Sequence, residues 1–214
     1  MNKYDKADQT ELSHLHVDAL REICNIGMGN TATALGQMIG KQIDLSIPEV
    51  QLSRLSDFPD LLGNSEKTVA AIHTRVWGDI QGNIMFVFPW QSVRELISMV
   101  AGSEPEEEFQ LSEMQLSALR EIGNILGSSY LGALERLLEK SLLPSVPSVA
   151  LDMAGAIMET FLVQLGEDAD SAIIIRTTFS GDGESIKGHF FLIPDPASLK
   201  MMLQAARVLA DENE

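Results

Sequence analysis

The chain has 214 residues, 45% of them apolar, with a formal net charge of −16 and a single cysteine. That length holds one large domain or two small ones with a substantial core. So negative a field excludes nucleic acid and anionic membrane surfaces as partners and favours proteins. One cysteine, Cys24, excludes an internal disulfide framework and points to a reducing compartment. Met1–Glu11 is polar, without the apolar core of a signal peptide, and no run reaches the roughly 18 apolar residues of a membrane span. A cytoplasmic protein is expected.

Residues 1–11 are expected to be flexible. From an N-cap at Ser13, Leu15, Ala19, Leu20, Ile23, Ile26, Thr31, Ala34 and Leu35 recur at helical spacing. The spacing predicts a helix to about Ile39, stopped by Gly40 and about 40 Å long at 1.5 Å per residue. Gly27 and Gly29 inside it predict a close-approach surface, since each costs about 0.5–1 kcal/mol relative to alanine. Ile43, Leu45, Ile47, Val50 and Leu52 then alternate as a strand bent at Pro48, and Ser53–Asn64 reads as an irregular connection. Val69–Val76 and Asn83–Phe88 predict a hairpin through Gly78-Asp79 and Gly82, followed after Pro89 by a short helix, Gln91–Ala101. Gly102–Phe109 is a solvated acidic linker.

The second half repeats this order. Ser112 and Gln115 form a capping-box signature opening a helix to about Lys140, thinned by Gly123 and Gly127. Strands are expected at Val146–Met153, Ala172–Ser180 and Ser185–Ile193, and an amphipathic helix at Pro196–Leu209, before a short flexible end at 210–214. The offset between halves grows from 99 residues at the helix to 105 between Pro89 and Pro194, so six residues are inserted, most simply at Ala154–Glu167. The plan is α-β-β-β-α twice, an α/β fold of α+β type. It makes one domain of two repeats, about 12–102 and 111–209, related by a pseudo-two-fold. A mostly antiparallel central sheet carries two long helices. An unduplicated ancestor would form this object as a homodimer, so the duplicated chain is expected to be a monomer.

One constellation stands out. Asp18-Ala-Leu-Arg-Glu22-Ile-Cys-Asn25 returns as Ser117-Ala-Leu-Arg-Glu121-Ile-Gly-Asn124, and Pro48 and Pro147 follow at equal distance. At about 100° per residue, positions i, i+4 and i+7 fall within roughly 60° on a helix, so each set forms one polar stripe. Solvated surface residues are the plain alternative. Duplicated halves diverge on their solvent faces, however, and asparagine competes for backbone hydrogen bonds in mid-helix, so its appearance there twice needs a reason.

A carboxylate and an amide are a small toolkit. No Ser-His-Asp grouping is evident; Cys24 falls off the stripe by helical phase. His14, His16, His73 and His189 lack metal-ligand spacing, so no bound metal is expected. Gly27-Met28-Gly29-Asn30-Thr31-Ala32 imitates a dinucleotide fingerprint but follows no strand. An uncharged amide both donates and accepts, and so can hold a water beside a phosphoryl group without repelling it. The acid could ion-pair with a partner's lysine or take the water's proton.

The two motifs, each Asp or Ser, then Glu, Asn and a distant Pro, resemble the CheC-type phosphatases of bacterial and archaeal chemotaxis, relatives of CheX and FliY. Two copies in one chain argue against the CheX type, and the absence of sequence for a further C-terminal domain after Leu209 argues against the FliY type. The resemblance implies dephosphorylation of the phospho-aspartate of the response regulator CheY. It implies that Asn25 and Asn124 orient the attacking water and that Glu22 and Glu121 pair with the regulator's lysine. Asp18 and Ser117 would support them, and Pro48 and Pro147 would be architectural. It implies no cofactor on this chain, Mg²⁺ on the regulator, and binding of the deamidase CheD through Asp195–Leu209. A CheD-binding adaptor with little catalysis is the alternative.

Overall fold

Strand residues that alternate between two apolar faces force a sheet to be covered on both sides, and this chain does so unequally. The computed structural model describes residues 25, 29–38, 40, 44–54, 64–102, 105, 110–165, 171–181 and 184–212. In chain order these form helix α1 (29–38), strands β1 (Asp44–Arg54), β2 (Thr68–Gly78) and β3 (Gly82–Pro89), and helices α2 (Trp90–Ala101) and α3 (Glu113–Leu138). Then follow β4 (Leu142–Pro144), β5 (Ser148–Met153), α4 (Ala154–Leu165), β6 (Ser171–Gly181), β7 (Glu184–Pro194) and α5 (Pro196–Glu212). The expected start of the first helix at Ser13 lies outside the described residues.

The strands form one antiparallel sheet in the order β1-β6-β7-β3-β2, with β4 and β5 both pairing with β2 at the far edge. The order is palindromic between halves, as a pseudo-two-fold requires. The strand expected at Val146–Met153 begins two residues later as β5, after an unexpected short strand, β4, from which Ser145-Val146-Pro147 separates it. Its counterpart β1 shifts register between Ser46 and Glu49, where Pro48 stands. Proline has no N–H for the ladder, and the pairing is irregular at the repeated proline on both edges, as a register shift in β1 and as a break between β4 and β5.

The centre of the sheet corrects one expectation. Met85 pairs with Phe191 and Phe86 with Phe190. Phe86 and Phe190 belong to the large helix-covered core, whereas Met85 and Phe191 belong to the cluster on the opposite face. Equivalent residues across an axis normal to the sheet must share a face, so their offset is even. An offset of 106, rather than the 105 given by Pro89 and Pro194, equates Gly82 with Gly188 and Met85 with Phe191. The halves therefore differ by 106 − 99, or seven residues, across that span. Helix α4 occupies the expected stretch and runs for three full turns.

One face of the sheet carries Ala70, Ile72, Ile84, Phe86, Phe88, Phe190 and Leu192, under Ala32 and Leu35 of α1, residues of α2 and α3, and Met202 of α5. The other carries Val69, Ala71, Met85, Val87, Phe191 and Ile193 beneath Ile157, Met158 and Phe161 of α4. Beside α4 a cavity of about 380 Å³ is lined by His73, Met85, Ser148, Asp152, Phe161 and their neighbours. His73 Nε2 donates to Asn83 Oδ1 at 2.8 Å, and its ring meets Phe161 edge-on at 5.1 Å. Burial removes water from the imidazolium and lowers the His73 pKa from its ordinary 6.5, against the Asn83 hydrogen bond, which raises it.

Helix α3 is delimited by its own chemistry. Ser112 N donates to Gln115 Oε1 at 3.0 Å and Gln115 N to Ser112 Oγ at 3.3 Å, the expected capping box. Glu139 ends it in the left-handed region at φ 51°, its N–H returning to Glu135 O. Between these ends α3 lies close on the sheet. A Cβ at Gly123 would collide with Ile72 and lie 3.5 Å from Pro147, and one at Gly127 would sit 3.1 Å from Ile84 Cδ1. The close approach expected of glycines holds for this helix. Among the described residues it does not extend to Gly29, where a Cβ would meet nothing within 4 Å; Gly27 lies outside the described residues.

Two outcomes are expected. Gly123→Ala should destabilise by about 1–3 kcal/mol through overpacking, while Gly132→Ala, whose Cβ meets only Arg136 Nη1 at 3.8 Å, should stabilise by about 0.5–1 kcal/mol. Urea unfolding of both variants measures this. Because the folded His73 pKa lies below its unfolded value of 6.5, the unfolded chain takes up the proton first as pH falls. Its contribution is whole above that value and lost as pH drops below it. Melting from about pH 8 to about pH 5 should therefore show a steeper loss for wild type than for His73→Gln.

Candidate functional site

The phase of α3 decides which of its residues can do chemistry. Leu119, Ile122, Gly123, Leu126, Gly127, Tyr130, Leu134 and Leu138 are buried. Tyr130 fixes the rotation further: its ring is fully buried and meets Phe190 edge-on at 4.5 Å, and Phe190 stacks on Phe86 at 4.6 Å. With that seam against the sheet, Ser117, Glu121 and Asn124 all face solvent, with Ser128 continuing their line. The helix brings together the three second-half residues picked out by spacing.

Pro147 is buried beside them. Its Cβ lies 3.5 Å from where a Cβ on Gly123 would stand, one residue before Asn124. This gives the repeated proline a physical role: with Gly123 it lets the strand break approach the helix directly beneath the stripe. In the first half, Asn25 is helical and exposed, in line with exposed Gly29, Thr33 and Gln37. Thr31, Ala32 and Leu35 seat that helix against the sheet side. Asp18 and Glu22 lie outside the described residues. Pro48 is placed through its backbone in β1, at the register shift.

The stripe is convex. Small-molecule sites are concave and bury most of their ligand, whereas Ser117, Glu121 and Asn124 stand on the outer side of a rod. The cavity at His73 belongs to the opposite face of the sheet, so it does not serve these residues. An exposed carboxylate and amide a turn apart suit a macromolecular substrate that brings its own reactive group and its own counter-charge. Among the described residues, no group of three His, Cys, Asp or Glu is gathered to hold a metal ion. Also among them, no helix is long and apolar enough to cross a membrane.

Two features at the site were not anticipated from periodicity. Met114, an apolar residue in the first turn of α3, is 64% exposed, and Val146, expected within a strand, is 86% exposed in the break before Pro147. Met114 precedes Ser117 by one turn and extends the same stripe. The signal that marked these positions was the 99-residue repeat, which places Leu15 and Ile47 at their equivalents.

Comparison with known proteins gives a consistent answer. A model of the CheC-like family matches residues 15–52 and 114–151, the two spans that run from each stripe to its proline. The CheY-P phosphatase CheC of Bacillus subtilis (strain 168) is 35% identical over 193 residues, covering 88% of this chain and 92% of that protein. The crystal structure of Thermotoga maritima FliY has the same fold, with a TM-score of 0.75 at 20% identity over 92% of this chain and 98% of that one. A chain of the CheX–CheY–BeF3–Mg2+ complex from Borrelia burgdorferi matches with a TM-score of 0.52 at 14% identity, over 83% of this chain and 98% of that one. With a duplicated motif, a shared fold and this degree of identity over nearly its whole length, the chain belongs to the CheC-like family.

Proposed function

We propose that this protein is a CheY-P phosphatase with two sites, one on each long helix. The observation that carries the proposal is the repeated Glu–Asn pair, exposed at Glu121 and Asn124 on a helix whose opposite face is locked to the sheet. Asn25, exposed in the first half, supports a second site.

In this reading the Asn124 amide accepts from and donates to one water, holding it in line with the phosphorus of the receiver's acyl phosphate. The amide carries no charge, so it approaches the phosphoryl oxygens without repulsion. The water oxygen bonds to phosphorus as the bond from phosphorus to the aspartyl oxygen breaks. The aspartate carboxylate is restored, inorganic phosphate leaves, and the water's proton passes to phosphate or solvent. Glu121 pairs with the receiver's lysine and sets the register of docking, with Ser117 beside it. Asn25, Glu22 and Asp18 take the same parts in the first half, and Pro48 and Pro147 hold the strand breaks against the helices. Mg²⁺ would be bound by the receiver and would offset phosphoryl charge there. CheD is a proposed second partner, at α5.

The test is phosphate release from phosphorylated CheY by purified protein. Losing one water-positioning donor should cost on the order of 10²–10³ in rate at that site. Asn25→Ala with Asn124→Ala should leave CheY dephosphorylation at its spontaneous rate, and each single variant should retain the activity of the other site. Undiminished release by the double variant would contradict the proposal. Negligible release by folded wild type, with tight association to CheD, would favour the adaptor instead.

A further inference from the structure

Exposed apolar side chains are ordinary when scattered, but here two of them border one functional stripe. Met114 lies one turn before Ser117 on the same side of α3 and is 64% exposed. Val146, 86% exposed, immediately precedes Pro147, which packs at Gly123 beside Asn124. Consecutive Cα atoms are about 3.8 Å apart, so Val146 stands at the margin of the stripe. Packing among the described residues explains neither side chain.

Both positions are apolar in both halves. At the 99-residue offset, Leu15 stands for Met114 and Ile47 for Val146, within Ser46-Ile47-Pro48 and Ser145-Val146-Pro147. Solvent-facing positions of duplicated halves are free to become polar. These two kept large apolar groups in each copy, as the neighbouring positions kept glutamate and asparagine.

Val146 is also held rigidly. Ser145 N donates to Arg75 O at 2.8 Å, and Arg75 N donates to Ser145 Oγ at 3.0 Å. The Ser145 hydroxyl donates to Val146 O at 3.2 Å, and Pro147 is buried on the other side. A side chain fixed in this way loses little freedom when a partner covers it.

We infer that Met114 and Val146 form an apolar collar around the Glu121–Asn124 site, on which the receiver domain carrying the acyl phosphate docks. The occupant follows from continuity: a surface seated on Glu121 and Asn124 must also cover their borders. Near-neutral contacts that exclude water around a polar centre strengthen what happens inside it.

This inference rests on the proposed phosphatase activity, and its test separates the two. In an Asn25→Ala background only the second site works. There, Met114→Ser and Val146→Ser should each raise KM for CheY, phosphorylated with acetyl phosphate, by about tenfold, as expected for one buried apolar side chain. The kcat should stay within about twofold, and affinity for CheY loaded with BeF3 and Mg²⁺ should fall in step with KM. Met114→Leu and Val146→Ile should keep the parent KM. Unfolding midpoints should match the parent, because both side chains already face solvent. An unchanged KM in the serine variants, or a fall in kcat alone, overturns the collar while leaving the phosphatase reading intact. Full turnover by Asn25→Ala with Asn124→Ala overturns that reading itself.

Discussion

Everything at the site depends on how closely one helix lies on the sheet. Gly123 and Gly127, one turn apart on α3, remove the side chains that would hold it away from Ile72 and Ile84. Tyr130 then anchors the next turn on Phe190. Once the seam is set, helical phase leaves no freedom: Ser117, Glu121 and Asn124 must point outward. Glycine in a helix costs stability; here the cost is offset by close packing that fixes the direction of two functional side chains. Pro147 completes the contact by breaking the edge strand where the helix passes.

The duplication explains the architecture at large. A sheet built as two palindromic sets of strands needs its most apolar contacts at the axis, and Met85, Phe86, Phe190 and Phe191 are there. The two faces are then used differently. Buried rows of four helices, α1, α2, α3 and α5, close one face, while α4 alone closes the other among the described residues. An extra helix inserted on the second face leaves α1 and α3 undisturbed, so the fold tolerates the added residues.

Much of this was legible in the residues because it rests on local rules. Glu121 and Asn124 could be placed on one face from their spacing, the capping box at Ser112 from its two side chains, and the antiparallel sheet of two repeats from alternation and the duplicated motif. The features that were not legible depend on which neighbour arrives. Gly29 and Gly123 look alike in sequence, yet only Gly123 meets a strand. Ser145-Val146-Pro147-Ser148 alternates like a strand, but proline at a pairing position splits it, and Val146 turns out to solvent. Prolines 89 and 194 suggested one registration of the halves, and the pleat required another. Asp18 and Glu22 were named from the repeat and lie outside the described residues.

The central claim is that an uncharged amide on a rigid helix directs one water at a partner's acyl phosphate, with the neighbouring acid gripping that partner's amine. A structure of this protein with CheY loaded with BeF3 and Mg²⁺ tests it most directly. The account predicts the Asn124 carboxamide within hydrogen-bonding reach of a water in line with the beryllium, and Glu121 paired with the receiver's lysine. A complex in which the receiver binds elsewhere, with Asn25 and Asn124 both left facing solvent, would contradict it.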